Sequence, residues 1–153
     1  MKKTMIRLYW QQACAAEADA VSRALEEAFP ALTFRAAAAL EPAPEALDTS
    51  RGQYDAAWLL RQIPEPFAIW LIAEDITYAG YDFVYGAALD QKAVVSSART
   101  GPGAVLNREA CHELGHLLGL EHCEGPCLMS PSLPRAQNPA HLCPACTAAL
   151  RVL

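Results

Sequence analysis

Apolar and polar positions along the first half of the chain predict strands and helices in alternation. Residues 4–10, "TMIRLYW", are short and rich in strand-forming side chains, so they predict a strand. Residues 14–28 place apolar side chains at helical spacing with polar ones on the other side, and Pro30 ends that helix. Residues 32–40 predict a second strand, and residues 53–63 predict a second, weaker helix.

The middle of the chain predicts the centre of a sheet, followed by a hairpin. Residues 66–73, "PFAIWLIA", form a continuous apolar run, which is typical of a strand buried on both faces. Residues 81–97 predict two strands that are joined at residues 90–92. A helical pattern returns at Ala104, and after a loop-rich segment residues 145–153 predict a short last helix. The alternation predicts an α/β fold, and the length of 153 residues suits a single domain.

Composition and charge exclude several classes of partner. Apolar residues make up 53% of the chain, so disorder is not expected. The formal charge of −5, with basic residues mixed among the acids, argues against nucleic acid or an anionic membrane as a partner. No segment approaches the ~18 apolar residues of a membrane span, and the basic N-terminus is not followed by the apolar run of a signal peptide. We therefore expect a cytoplasmic protein. Six cysteines in such a chain indicate thiolate chemistry or metal binding rather than disulfides.

The segment "HELGH", residues 112–116, is the H-E-x-x-H zinc signature. His112 and His116 are four positions apart, so on a helix they lie one turn apart on the same face and reach one ion. The apolar stripe roughly opposite, which should face the core, consists of Leu106, Ala110, Leu114 and Leu118. The pattern therefore predicts an amphipathic helix that presents two zinc ligands.

Gly119 and His122 extend this motif beyond the predicted helix. Glycine adopts the left-handed conformation that ends a helix, so a turn at Gly119 brings His122 back to the ion as a third ligand. Three protein ligands leave the fourth position for water, as in catalytic rather than structural zinc sites. Zinc lowers the pKa of that water to about 7, and Glu113, beside His112, then accepts its proton. The motif predicts zinc-dependent hydrolysis.

Four of the six cysteines form two pairs, Cys123 with Cys127 and Cys143 with Cys146. Two thiolate pairs separated by about fifteen residues predict a closed, tetrahedral structural zinc site. Such a site would hold the loop after the catalytic helix, where hydrophobic packing is thin, through metal-coupled folding. The alternative is that these four are unligated core cysteines or disulfides.

These motifs together resemble the archaemetzincins, a family of metzincin-clan zinc peptidases. The family's hallmark is H-E-x-x-H-x-x-G, a third histidine followed at once by a cysteine, a C-x-M segment and a late C-x-x-C. Here these are "HELGHLLGLEHC", "CLM" and "CPAC". Upstream, "AEDITYAGYDFVYGAA" and "VVSSART" are similar to the family's segment before an aromatic-rich strand and to its Val-Ser-x-x-Arg strand. The likeness covers residues 66–150, although the spacing from Cys123 to Cys127 and the gap from Met129 to Cys143 are shorter here than in the family.

The resemblance implies a compact, metzincin-like α/β domain with a twisted mixed sheet, an active-site helix and a loop-rich, zinc-stabilised C-terminal part. Residues 1–118 would form an upper part and residues 119–153 a lower one. Glu113 would be the general base, and Met129 would lie in the methionine turn under the zinc. The implied ligands are His112, His116 and His122 for the catalytic zinc, and Cys123, Cys127, Cys143 and Cys146 for the structural zinc. The implied activity is hydrolysis of peptide or protein substrates by a monomer with two Zn²⁺ ions.

The resemblance also suggests where a substrate would bind. In metzincins an edge strand pairs with extended substrate, and the residues in that position here are Phe83, Val84, Tyr85 and Gly86. Residues 130–134 would wall the pocket for the side chain after the scissile bond. Arg99 is interpreted as an ion-pair partner, with a substrate clamp as the alternative.

Two functions compete with the peptidase. The first is a two-zinc binding module with latent or no proteolytic activity, which the motif alone does not distinguish from an enzyme. The second is a nucleic-acid zinc ribbon, against which the acidic balance weighs. The remaining candidates for chemistry are interpreted as ordinary structural residues: Cys14, Cys111 and His141.

Overall fold

The computed structural model describes residues 4–131 and 138–150, and its elements follow the predicted alternation. The strands are Met5–Trp10 (β1), Thr33–Ala39 (β2), Leu47–Asp48 (β3), Gln53–Asp55 (β4), Ala68–Ile72 (β5), Ile76–Thr77 (β6), Gly86–Leu89 (β7) and Lys92–Ser96 (β8). The helices are Ala15–Ala28 (α1), Ala56–Gln62 (α2), Ala104–Leu117 (α3) and Pro144–Leu150 (α4). Within the described residues, none of the helices is both long and apolar enough to cross a bilayer.

The larger sheet has five strands in the spatial order β2-β1-β5-β8-β7. Its first four strands are parallel, and β7 joins antiparallel to β8, so the sheet is mixed. The turn between β7 and β8 is the predicted hairpin, in which Asp90 and Gln91 both adopt a positive φ. Two such residues in succession are typical of the tight turns that join antiparallel strands. The hairpin leaves β7 at one edge of the sheet.

Both faces of the larger sheet are covered by helices. The layer with α1 and α3 packs on alternate strand residues such as Leu71 and Val95, and the layer with α2 packs on Trp70 and Val94. Every residue of β5 is buried, which confirms the prediction of a central strand covered on both faces. α3 therefore lies on a rigid sheet, next to the edge hairpin.

Most predicted elements are confirmed to within a few residues, with two differences. The predicted second helix loses its first turn, because Gln53–Asp55 pairs in a smaller three-stranded sheet of order β3-β4-β6. The Asp55 carboxylate then accepts a hydrogen bond from the N–H of Ala57 and begins α2. The first strand of the hairpin begins only at Gly86, because the N–H of Val84 donates to the carbonyl of Ile76, at the smaller sheet.

Candidate metal centres

α3 carries the first two histidines in the geometry that their spacing predicts. Four apolar residues, which are all buried, attach this region of the chain to the core: Leu106, Ala110, Leu114 and Leu118. His112 is buried, and His116, one turn later, is partly exposed. Their rings lie with centroids 4.7 Å apart, at an interplanar angle of 84°.

α3 ends at a glycine, as the sequence predicts. Gly119 has φ +94°, and its N–H donates to the carbonyl of His116 while the N–H of Leu120 donates to that of Gly115. This pair of bonds is the Schellman motif, which satisfies the last carbonyls of a helix and reverses the chain. The reversal brings the exposed ring of His122 to 4.8 Å from the ring of His116 and 5.3 Å from that of His112.

Hydrogen bonds orient two of the three imidazole rings. The Nδ1 atom of His112 lies 3.0 Å from the carbonyl oxygen of Leu128, and that of His116 lies 2.8 Å from the carbonyl oxygen of Leu120. A carbonyl oxygen only accepts, so each Nδ1 donates, and in the neutral ring Nε2 then carries the lone pair. The two Nε2 atoms lie 3.2 Å apart. Both rings therefore present lone pairs to the same point.

The donor set fits a zinc ion. Ligand atoms of His112, His116 and His122 all lie within 4.8 Å of one another. Tetrahedral zinc with Zn–N bonds of about 2.0–2.1 Å requires neighbouring nitrogens about 3.3–3.4 Å apart, and the Nε2 atoms of His112 and His116 nearly match that spacing at 3.2 Å. His122 lies on the exposed side, where a fourth ligand from solvent has access.

Glu113 lies between the histidine helix and the edge strand. Its residue is 6% exposed. A Cβ atom on Gly86, the first residue of β7, would lie 2.7 Å from the Cγ atom of Glu113 and 2.9 Å from the carbonyl oxygen of Val94. Such close approach is possible only because residue 86 has no side chain. The sequence predicted roles for Glu113 and Gly86 separately, but their contact has no signal in the sequence.

Met129 lies beneath the histidine helix and is fully buried. Its thioether packs on Gly115, where a Cβ atom would overlap the Met129 sulfur. Gly115 occupies one of the unspecified positions of the H-E-x-x-H motif, so the motif itself does not predict this contact.

Four cysteine sulfurs converge beside the histidines. The sulfur atoms of Cys123, Cys127, Cys143 and Cys146 all lie within 4.8 Å of one another. Those of Cys123 and Cys143 are 3.8 Å apart, which equals the edge of about 3.8 Å expected for tetrahedral zinc with Zn–S bonds of about 2.3 Å. A hydrogen bond from the backbone N–H of Cys146 lowers the pKa of the Cys143 thiol to about 7, whereas burial raises the pKa of the Cys146 thiol.

The other two cysteines lie outside both groups. Burial raises the pKa of Cys111 to about 12, and burial likewise raises the pKa of Cys14. Both thiols therefore stay protonated at neutral pH and pack as small buried side chains, as interpreted from the sequence. His141 is in the loop before α4, where its carbonyl oxygen accepts a hydrogen bond from the N–H of Leu128.

The segment before β7 is held by an ion pair, of which the sequence predicted only the basic partner, Arg99. Arg99 donates two hydrogen bonds, of 2.8 and 2.9 Å, to the carboxylate of Asp75. The same guanidinium lies 3.8 Å from the ring centroid of Phe83, which meets the ring of Tyr85 edge to face. Arg99 is therefore an ion-pair partner, and no pattern in the sequence indicates that Asp75 is the acid. Of the predicted pocket wall at 130–134, residues 132–134 lie outside the described residues.

Comparison with known proteins identifies the family. A profile described as peptidase family M54 matches residues 50–152. The chain belongs to this family. An archaemetzincin from Archaeoglobus fulgidus is 36% identical over 117 residues, which cover 68% of this chain and 72% of that protein. One from Nanoarchaeum equitans is 36% identical over 84 residues, and this alignment covers 52% of this chain and about half, 49%, of that relative.

The archaemetzincin fold extends over almost the whole chain. A crystal structure of the Archaeoglobus fulgidus archaemetzincin, complexed with malonate, matches with a TM-score of 0.85 and 25% identity. The match covers 95% of this chain and 99% of that one. The resemblance to archaemetzincins and the predicted mixed α/β fold are thus confirmed, and membership of the M54 family makes this chain a zinc metallopeptidase with peptides as its class of substrate.

Proposed function

We propose that the protein hydrolyses peptide bonds at a zinc site formed by His112, His116 and His122, with Glu113 as the general base. The observation that carries this proposal is the orientation of the rings. The Nδ1 atoms of His112 and His116 donate to backbone carbonyls, and their Nε2 atoms lie 3.2 Å apart. A zinc ion bound there would polarise the scissile carbonyl and bring the pKa of water to about 7.

Each residue then has a defined task. The three imidazoles bind through nitrogen, and two of them are held in orientation by the carbonyls of Leu128 and Leu120. Glu113 takes a proton from the attacking water at a carboxylate oxygen and passes it to the nitrogen of the leaving amine. Gly86 keeps the space beside the Glu113 side chain free of a methyl group. Met129 supports the helix from below.

We propose that the substrate lies extended along β7, at the edge of the sheet. An edge strand offers backbone donors and acceptors to an added strand. Phe83, Val84 and Tyr85 lead into this strand, and its first residue, Gly86, lies against the side chain of Glu113. A peptide paired there would therefore run past the general base.

We further propose a second, structural zinc at Cys123, Cys127, Cys143 and Cys146, which gives two Zn²⁺ per chain. Four sulfurs close a tetrahedron and leave no position for substrate. On this proposal residues 1–118 form an upper part and residues 119–153 a lower part held by the second ion. The protein would act as a monomer, because the three histidines of the catalytic site already lie together within a single chain.

Replacing Glu113 tests its role directly. Glu113→Gln keeps the size of the side chain but removes the base, so we expect kcat to fall by about 10²–10⁴-fold with unchanged zinc content. The assay is digestion of a peptide library followed by mass spectrometry, with a chelator-treated wild type as the control. Full activity in the variant would refute the role of Glu113. Zinc-bound wild type that cleaves nothing would indicate the two-zinc binding module instead.

Elemental analysis tests the metal count. Wild-type protein should contain about two zinc ions per chain and His116→Ala about one, because only the histidine site loses a ligand. Cys146→Ser is the matched variant for the other site and should also lower the count. One zinc in wild type, or two in His116→Ala, would contradict the assignment of two separate sites.

A further inference from the structure

One peptide unit connects the histidine group to the cysteine group. The carbonyl oxygen of Leu128 lies 3.0 Å from Nδ1 of His112, and the N–H of Met129 donates to the sulfur of Cys127 over 3.4 Å. These two atoms belong to the same peptide, between Leu128 and Met129. The connection therefore runs from sulfur, through one rigid amide plane, to the imidazole ring.

This peptide is fixed at both ends. The N–H of Leu128 donates to the carbonyl of His141, and the carbonyl of Met129 accepts from the N–H of Cys123. The sulfur of Cys127 also accepts the N–H of Cys143, over 3.2 Å. Cys127, Leu128 and Met129 are all at most 1% exposed, so water does not compete for these bonds. Cys123 and Cys127 of the cysteine group, together with His141, thus hold the peptide in its orientation.

We propose that Cys127 is a positioning residue for His112 and that a metal in the cysteine group raises the metal affinity of the histidine group. This inference rests on the proposed function, since it takes both groups as metal sites. A metal-bound thiolate is fixed in place and accepts the Met129 N–H more strongly than a free thiol. Polarisation of the amide between Leu128 and Met129 then makes the Leu128 carbonyl oxygen a stronger acceptor for the Nδ1–H of His112. An outer partner of this kind fixes the ring and raises the basicity of the ligating nitrogen.

His116 offers an internal comparison. Its Nδ1 donates to the carbonyl of Leu120, whose peptide has no described bond to a cysteine sulfur. Filling the cysteine group should therefore act on His112 and leave His116 nearly unchanged. By reciprocity, a metal at the histidines strengthens binding at the cysteines by the same factor.

Cobalt titration with matched cysteine variants tests the coupling. In reduced protein, Cd²⁺ first fills the cysteine group, and Co²⁺ affinity at the histidine group is then read from its visible absorption. Cys127→Ala and Cys146→Ala each leave three sulfurs, and Cd²⁺ is added until the cysteine group of each variant is saturated. Only Cys127 accepts from the N–H of Met129. We expect Cys127→Ala to weaken Co²⁺ binding at the histidines about tenfold and Cys146→Ala by less than about twofold. Equal weakening in both variants, or none in Cys127→Ala, would overturn the proposal.

A measurement on the wild type covers the case in which Cys127→Ala does not fold. Imidazole ¹⁵N and Nδ1–H resonances are recorded with the histidine group empty, before and after Cd²⁺ fills the cysteine group. We expect the His112 signals to shift and its Nδ1–H to exchange more slowly, with His116 nearly constant. No change at His112, or equal changes at His112 and His116, would refute the proposed coupling between the cysteine group and His112. Wild type that binds no Co²⁺ at its histidines would instead refute the proposed function.

Discussion

At the scale of single residues, two glycines that leave room for their neighbours matter as much as the proposed metal ligands. Gly86 packs against Glu113, and Gly115, within the histidine motif, packs against Met129. A sequence motif records which residues are present and does not show what packs on a missing Cβ. The candidate ligands could therefore be proposed from spacing and the structure brings them together, whereas the contacts that shape their surroundings required the folded chain.

The contact at Gly86 gives a prediction about catalysis. In Gly86→Ala the new methyl group would lie 2.7 Å from Cγ of Glu113 and 2.9 Å from the Val94 carbonyl oxygen, so the carboxylate has to move. A misplacement of about 1 Å costs about 10²-fold in rate, and we expect a loss in kcat of that size with zinc content unchanged. The measurement is peptide hydrolysis together with elemental analysis.

The chain offers a matched control for this variant. A methyl group added at Gly125 would meet no atom within 4 Å beyond its chain neighbours, so Gly125→Ala should keep wild-type kcat. If Gly86→Ala hydrolyses peptide as fast as Gly125→Ala, the close approach of Gly86 and Glu113 is not needed for the reaction.

At the scale of elements, periodicity predicted what long, regular segments do. The apolar stripe of α3 packs in the core, and the continuous apolar run of β5 is buried on both faces. Both elements are confirmed. The smaller sheet was missed because its strands have only two or three residues, too few to show a period of two. Asp75 was missed because an ion pair between residues 24 positions apart leaves no local pattern.

The Arg99–Asp75 pair gives a prediction about pH. Hydrogen bonds from Arg99 are the largest cause that lowers the pKa of Asp75. A carboxyl group with a lowered pKa stabilises the fold above its unfolded pKa, and this stabilisation is lost as the pH falls through its folded pKa. Arg99→Gln should therefore unfold about 1–3 °C below wild type at neutral pH, and the difference should shrink in acid.

Thermal unfolding followed by circular dichroism over a series of pH values checks this expectation. Arg35→Gln is a suitable control, because Arg35 is exposed on β2 and has no ion pair within the described ranges. A difference for Arg99→Gln that stays constant into acid would show that the guanidinium acts through its contact with Phe83, independently of the Asp75 charge.

At the scale of the whole molecule, the two ends of the chain depend on different sources of stability. The sheet has two large apolar layers, whereas the cluster near the cysteines has only three buried members among the described residues, namely Leu120, Cys127 and Met129. α4 has no buried residue. So small a core stabilises little by burial alone, and we expect the metal to supply the rest.

Hydrogen exchange tests this division. After removal of bound metal by a strong chelator under reducing conditions, amides of residues 120–131 and 138–150 should lose protection, while those of β1, β5 and β8 should keep it. Addition of Zn²⁺ should restore the protection. Equal loss of protection in the sheet would show that the metal stabilises the fold as one unit, without separate upper and lower parts.

The order of elements along the chain also has a consequence for biosynthesis. Every strand in the described residues ends by Ser96, and all proposed ligands follow Cys111. A nascent chain can therefore complete its sheet on the ribosome before any histidine or cysteine of the two groups has emerged. The apolar surface that α3 covers on α1 and β8 stays open during that interval. Zinc can therefore bind to a sheet that has already formed, as a late step of maturation.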